Sequence, residues 1–153
     1  MRQSVSGMVV IASILVGVSS LGTVAQGAKE KSLYDRLGGK KAIAAVVDEF
    51  VGHVAADARI NSFFAATASD PKRLAMFKGH LADQICEAAG GPCKYTGKDM
   101  KSAHMGMHVK GADFDALVGD LVWALDKLKV GAHEKDQLLG ALGPMKTDIV
   151  EPK

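Results

Sequence analysis

An all-α domain is what this sequence predicts, and three observations predict it. Apolar residues recur at helical spacing through most of the chain beyond residue 30. β-Branched runs are few outside the first 25 residues and aromatic residues are only 5% of the chain, which leaves little material for a sandwich or barrel. Glycine pairs and prolines punctuate the periodic stretches. At 153 residues there is room for one domain and one core.

The elements follow in order. Ser32 predicts a cap for a short helix from Leu33 to Leu37, stopped by Gly38-Gly39. From Lys40 to Ala56, Ile43, Val46, Val47, Phe50, Val51 and Val54 form one broad apolar stripe. Asp57 caps a brief turn that ends at Phe63-Phe64. Asp70-Pro71 is a cap followed by proline at the first helical position, and that helix runs to about Ala89 before Gly90-Gly91-Pro92. A loop through Tyr95-Thr96-Gly97 leads to a short helix from Met100 to Met107. Asp113 caps the next helix, with Phe114, Leu117, Val118, Leu121, Val122, Leu125 and Leu128 on one face. The last helix spans His133 to Val150, kinked or delayed by Pro144.

The N-terminus differs from the rest. Arg2 is the only charge before Lys29, and an apolar stretch from Met8 to Val18 gives way to small and polar residues. This pattern predicts an export signal over residues 1–27, cleaved near 25–28, and a mature domain at 28–153 in the periplasm or beyond. The alternative is an uncleaved membrane anchor, although the strongly apolar part is short of the ~20 residues a span needs. No stable span is expected after cleavage. An oxidising compartment permits a disulfide between the two cysteines, Cys86 and Cys93; two unpaired thiols are the other reading.

Charge excludes one class of partner. The 19 basic and 17 acidic residues are interspersed, with no basic block, so nucleic acid is not an expected partner. Neither G-x-S-x-G nor a Walker phosphate loop occurs, and the cysteines lack an adjacent base. Five histidines remain as the chemical lead, because imidazole is the common nitrogen ligand of iron and zinc. His80 falls at the edge of the stripe Leu74, Phe77, Leu81, Ile85 and Ala88, beside Gln84; it either reaches into a pocket or stays in water. His104 and His108, four apart on one helical face, suit a metal, but no H-E-x-x-H and no further ligand set accompany them. The methionines read as core filler.

Taken together, Ser32-Leu-Tyr-Asp-Arg-Leu-Gly-Gly39, Ala45-Val-Val-Asp-Glu-Phe50, Phe63-Phe64, Gly90-Gly-Pro92, Tyr95-Thr-Gly97, Ala103-His104 and Leu138-Leu-Gly-Ala-Leu-Gly-Pro144 resemble the group I truncated haemoglobins, over about residues 32–150. The resemblance implies a shortened globin, a two-on-two helical sandwich around haem b. It places His104 on the proximal iron ligand, His108 past it, and Phe64 on the phenylalanine that packs on the haem face. Phe50 precedes Val51, which stands where many relatives carry a distal tyrosine; two further distal positions, often polar, fall on Phe77 and Leu81. His80 falls where some relatives have a histidine that binds iron directly, so it reads as a second axial ligand or as a surface histidine near the propionates. Lys78, Lys94, Lys98 and Lys101 are placed to meet those propionates. Two functions follow from the likeness. One is reversible binding of oxygen or another diatomic gas, with nitric oxide dioxygenation as a side activity. The other is a bis-histidine electron-transfer protein in the periplasm, served by an unidentified reductase or electron donor.

Overall fold

A computed structural model describes residues 30–151; the expected export segment, 1–27, lies outside the described residues. The described chain is helical, without a strand. Its helices are α1 (Leu33–Arg36), α2 (Gly39–Ala56), α3 (Ala65–Ala68), α4 (Pro71–Ala88), α5 (Met100–His104), α6 (Gly111–Lys127), α7 (Ala132–Leu142) and α8 (Lys146–Ile149), with 3-10 turns at Asn61–Phe64 and Gly143–Met145.

Local chemistry sets most boundaries. The Ser32 hydroxyl accepts from the Asp35 backbone N–H at 3.1 Å and starts α1. Gly38 then turns the chain at φ 96°, a conformation open to glycine; a Cβ there would meet that of Ala42 at 2.9 Å. The Asp70 carboxylate accepts from the N–H groups of Lys72 and Arg73, with Pro71 as the first residue of α4. At the far end, Gly90 at φ 77° lets the Gly91 N–H reach back to the Cys86 carbonyl at 2.8 Å.

The four long helices pack around one core. α2 packs on both α4 and α6, α4 also meets α7, and α6 meets α7. Ile43, Val46, Val47, Phe50 and Val54, all from the stripe read in the sequence, bury the inner face of α2. They meet Ile60, Ile85, Leu121, Leu125 and Leu138 in one core. Truncating a side chain as enclosed as Ile43 or Leu125 to alanine costs about 2–5 kcal/mol.

Three sequence expectations are corrected. The helix expected from Met100 to Met107 ends at His104, because Gly106 (φ 78°) and His108 (φ 55°) take left-handed backbone. His104 and His108 therefore do not share a helical face. Asp113 is not the cap of α6 but its third residue; its carboxylate accepts from the Lys110 N–H at 2.9 Å. The interruption expected at Pro144 is present: the last helix is divided into α7, a 3-10 turn containing Pro144, and α8, since proline cannot donate to the helical ladder. The short α3 between the Phe63-Phe64 turn and Asp70 was not read in the sequence at all. No helix among the described residues is long and apolar enough to cross a membrane.

Candidate functional site

A largely apolar cavity of about 570 Å³ opens between α2, α4, α5, α6 and the C-terminal segment. That volume suits a cofactor-sized guest. Phe50 and Val51 come from α2, Phe64 from the turn after it, Phe77, His80 and Leu81 from α4, and His104 from α5. All seven residues singled out in the sequence thus reach one cavity. α4 contributes Phe77, His80, Leu81 and Gln84 because residues three and four apart share a helical face. Phe64 and Phe77 pack with ring centres 5.6 Å apart and planes tilted by 50°.

His104 is the last residue of α5 and is half-buried. Its Nδ1 lies 2.7 Å from the Met100 carbonyl oxygen, one turn earlier. A carbonyl only accepts, so Nδ1 carries a proton, and in the neutral form of the ring Nε2 keeps its lone pair. A neutral imidazole fixed in this tautomer is ready to bind a metal through Nε2. His80, also half-buried, meets Tyr95 in an edge-to-face arrangement, with ring centroids 5.9 Å apart and planes 70° apart.

Two polar residues of the cavity were not anticipated as part of it. The Gln84 amide nitrogen lies 3.3 Å from the sulfurs of both Met100 and Met145. The Tyr95 hydroxyl donates to the Lys98 carbonyl at 2.7 Å, and burial pushes this phenol upward. Gln84 had one usable signal, its place one turn after His80; Tyr95 had none, because a loop residue carries no periodicity. Val51 keeps the α2 wall apolar at the position of interest. Among the lysines, Lys78 lies at the cavity and pairs with Asp48 at 3.0 Å, while Lys94 pairs with Glu87 at 3.1 Å. His108 is turned to solvent and held by Glu151 at 3.0 Å. Among the described residues no three His, Cys, Asp or Glu side chains gather as a metal cage.

Cys86 and Cys93 are joined by a disulfide, with Cα atoms 5.7 Å apart. A second polar group sits apart from the cavity. There, buried Asp120 faces His53 at 3.6 Å and Arg59 at 3.7 Å, and His53 stacks on Trp123 at 3.9 Å with planes 4° apart.

Comparison with known proteins agrees with this architecture. Residues 32–151 match the family model of the bacterial-like globins. A group 1 truncated haemoglobin of Mycolicibacterium paratuberculosis is 35% identical over 122 residues, covering 80% of this chain and 86% of that protein. Another, from Tetrahymena pyriformis, is 35% identical over 123 residues, 73% of this chain and 98% of the relative. The crystal structure of the truncated haemoglobin of T. pyriformis in its Fe(III) form superposes with a TM-score of 0.72 at 28% identity, over 80% of this chain and 100% of that one. The 2/2 haemoglobin of Synechococcus, solved in the cyanomet state with covalently attached haem, gives 0.71 at 32% identity, over 78% and 98%.

Proposed function

Since the chain belongs to the group 1 truncated haemoglobins, we propose that it holds haem b in the α2–α4–α5–α6 cavity, with His104 as the protein ligand of the iron, and reversibly binds a diatomic gas, oxygen first. The observation that carries this reading is the free Nε2 of His104, left by the Nδ1–Met100 hydrogen bond, at the wall of an apolar cavity. The donor set fits the group. A macrocycle would bring most of the iron's nitrogen ligands itself and need only one or two from the protein, and here single histidines stand on α4 and α5 while no three-residue ligand cluster is found among the described residues. Phe64, Phe77 and Leu81 offer flat and branched apolar surface to a ring system.

Haem, when bound, would supply an iron able to take a diatomic gas. The chain's own residues tune that binding. The Met100 carbonyl orients the His104 ring. Val51, Phe77 and Leu81 line the cavity with apolar side chains that would offer no hydrogen bond to a gas. His80 and Gln84, with Lys78, are the polar groups that α4 brings to the cavity, and a weakly held oxygen molecule is the expected result.

A second reading has a specific observation behind it: His80 lines the same cavity as His104. In that reading both imidazoles bind iron and the protein transfers electrons. Export to the periplasm through residues 1–27, oxidation of nitric oxide as a side activity, and an unidentified reductase as electron donor complete the proposal.

The test is spectroscopic. His104→Ala is expected to abolish stable haem retention, and full haem content in that variant would refute the iron-ligand assignment. Ferrous protein without added gas should show one broad visible band if His104 alone binds iron. Sharp, split bands that His80→Leu converts to one broad band would establish the two-histidine form instead.

A further inference from the structure

His104 closes α5, so the direction of its ring depends on how the chain beyond it is held. Met105 leaves the helix at ψ 126°, and Gly106 and His108 take left-handed backbone. One side chain from the far end of the molecule gathers this segment. An oxygen of the Glu151 carboxylate accepts from the Gly106 N–H at 2.7 Å and from the His108 N–H at 3.1 Å. Its other oxygen meets His108 Nδ1 at 3.0 Å, and the Glu151 N–H donates to the Val109 carbonyl at 3.0 Å. These bonds, led by the one from the His108 backbone, hold the Glu151 carboxyl below its ordinary range. Beneath them Val109 and Ile149 pack with Phe114, and Met107 and Ile149 both line the cavity.

From this geometry we infer that Glu151 is a positioning residue for the haem ligand. Its carboxylate clamps residues 105–109 onto the segment after α8, fixing the exit of α5 and with it the direction of His104 Nε2. The inference rests on His104 being the iron ligand. A glutamine retains one oxygen able to accept both backbone N–H groups; an alanine retains neither oxygen. A non-glycine residue held at φ 55° needs such a constraint, because left-handed backbone is costly for a side-chain-bearing residue.

The experiment uses the full haem-loaded chain with Glu151→Ala and Glu151→Gln. Three readouts apply: haem transfer to excess apomyoglobin, amide exchange at Gly106 and His108, and the iron–histidine stretching band of ferrous protein in a His80→Leu background, where His104 is the sole protein ligand. Glu151→Ala should transfer haem about tenfold faster, the scale of losing an outer partner of a metal ligand, with a shifted stretching band and unchanged far-UV dichroism. Glu151→Gln should restore most of both, and serves alone should the alanine variant fail to fold. An unchanged band and transfer rate in Glu151→Ala, with faster amide exchange, would overturn the inference, since the clamp would then hold only its own loop. Haem retained by His104→Ala would instead sink the iron-ligand reading, and the amide exchange would still report whether the clamp exists.

Discussion

Asp120 is the side chain whose environment departs furthest from its composition. It is 1% exposed, and its Oδ2 has no hydrogen-bond partner among the described residues. Burial, and then the negative charge of Asp57, push its carboxyl upward, against the smaller pull of His53 and Arg59. Asp57 behaves oppositely, held down to about 2 chiefly by its side-chain hydrogen bond to Arg59. The signs follow by linkage. The folded chain binds a proton at Asp120 more readily than the unfolded chain does. Its stabilising contribution is therefore present in acid, below the ordinary aspartate value, and is lost as pH rises through the raised one. The contribution of Asp57 is present at neutral pH and is lost only as pH falls towards about 2. Asp120→Asn removes a charge that costs stability at neutral pH and keeps the polar shape. Urea unfolding at pH 7 should find the variant at least as stable as the parent, with a smaller advantage at pH 4. A clear loss at pH 7 would mean that the His53 and Arg59 attractions outweigh burial.

At the level of elements, glycines show which helix ends are built by contact and which by chance. Gly91, past the end of α4, has no room for a side chain: a Cβ would lie 2.5 Å from a Tyr34 ring carbon and 2.7 Å from the Cys86 sulfur. Gly79, inside α4, has nothing within 4 Å. Thermal unfolding should therefore separate two chemically identical changes. Gly79→Ala should stabilise by up to about 1 kcal/mol, the ordinary helix preference. Gly91→Ala should destabilise, because α1 must move off α4; equal effects would show that the close approach is not constraining. The same contrast explains what could be read from the sequence. The Ser32 cap, the α2 stripe and the Asp70-Pro71 start of α4 are local chemistry, written in adjacent residues, and the helices there follow it. The end of α5 is not local, since the carboxylate that takes the Gly106 N–H belongs to Glu151, 45 residues later. For the site, His104, His80 and the apolar wall were legible as residue types at a family's spacing. The place of Gln84 one turn after His80 was a usable signal, but the entry of Tyr95 into the cavity was not legible, because it depends on the course of a loop.

Across the whole molecule, the disulfide joins the two parts of the cavity that local helix chemistry does not connect. Cys86 lies in the last turn of α4, one turn and a half beyond His80; Cys93 begins the segment that brings Tyr95 against that histidine. The same junction is tied by the Tyr34 N–H to the Ala89 carbonyl at 2.9 Å and by the Tyr95 N–H to the Glu87 carboxylate at 2.9 Å. A bridge closing so short a loop restricts the unfolded chain only modestly, and the loop-entropy estimate gives about 2 kcal/mol. The remaining hydrogen bonds should therefore keep the fold intact without it. Replacing both cysteines by serine is expected to lower the midpoint of thermal unfolding while leaving haem content unchanged, because neither sulfur lines the cavity. The effect on His80 is the more telling readout. With the Tyr95 segment released, His80 loses its fixed neighbour; on the two-histidine reading, the part of the ferrous spectrum that His80→Leu removes should weaken more than the part that His104→Ala removes. Parent protein treated with a reductant must reproduce the double-serine spectrum and midpoint. Identical behaviour before and after reduction, with free thiols demonstrated by mass after alkylation, would show that the bridge holds neither the fold nor the α4 side of the cavity in place.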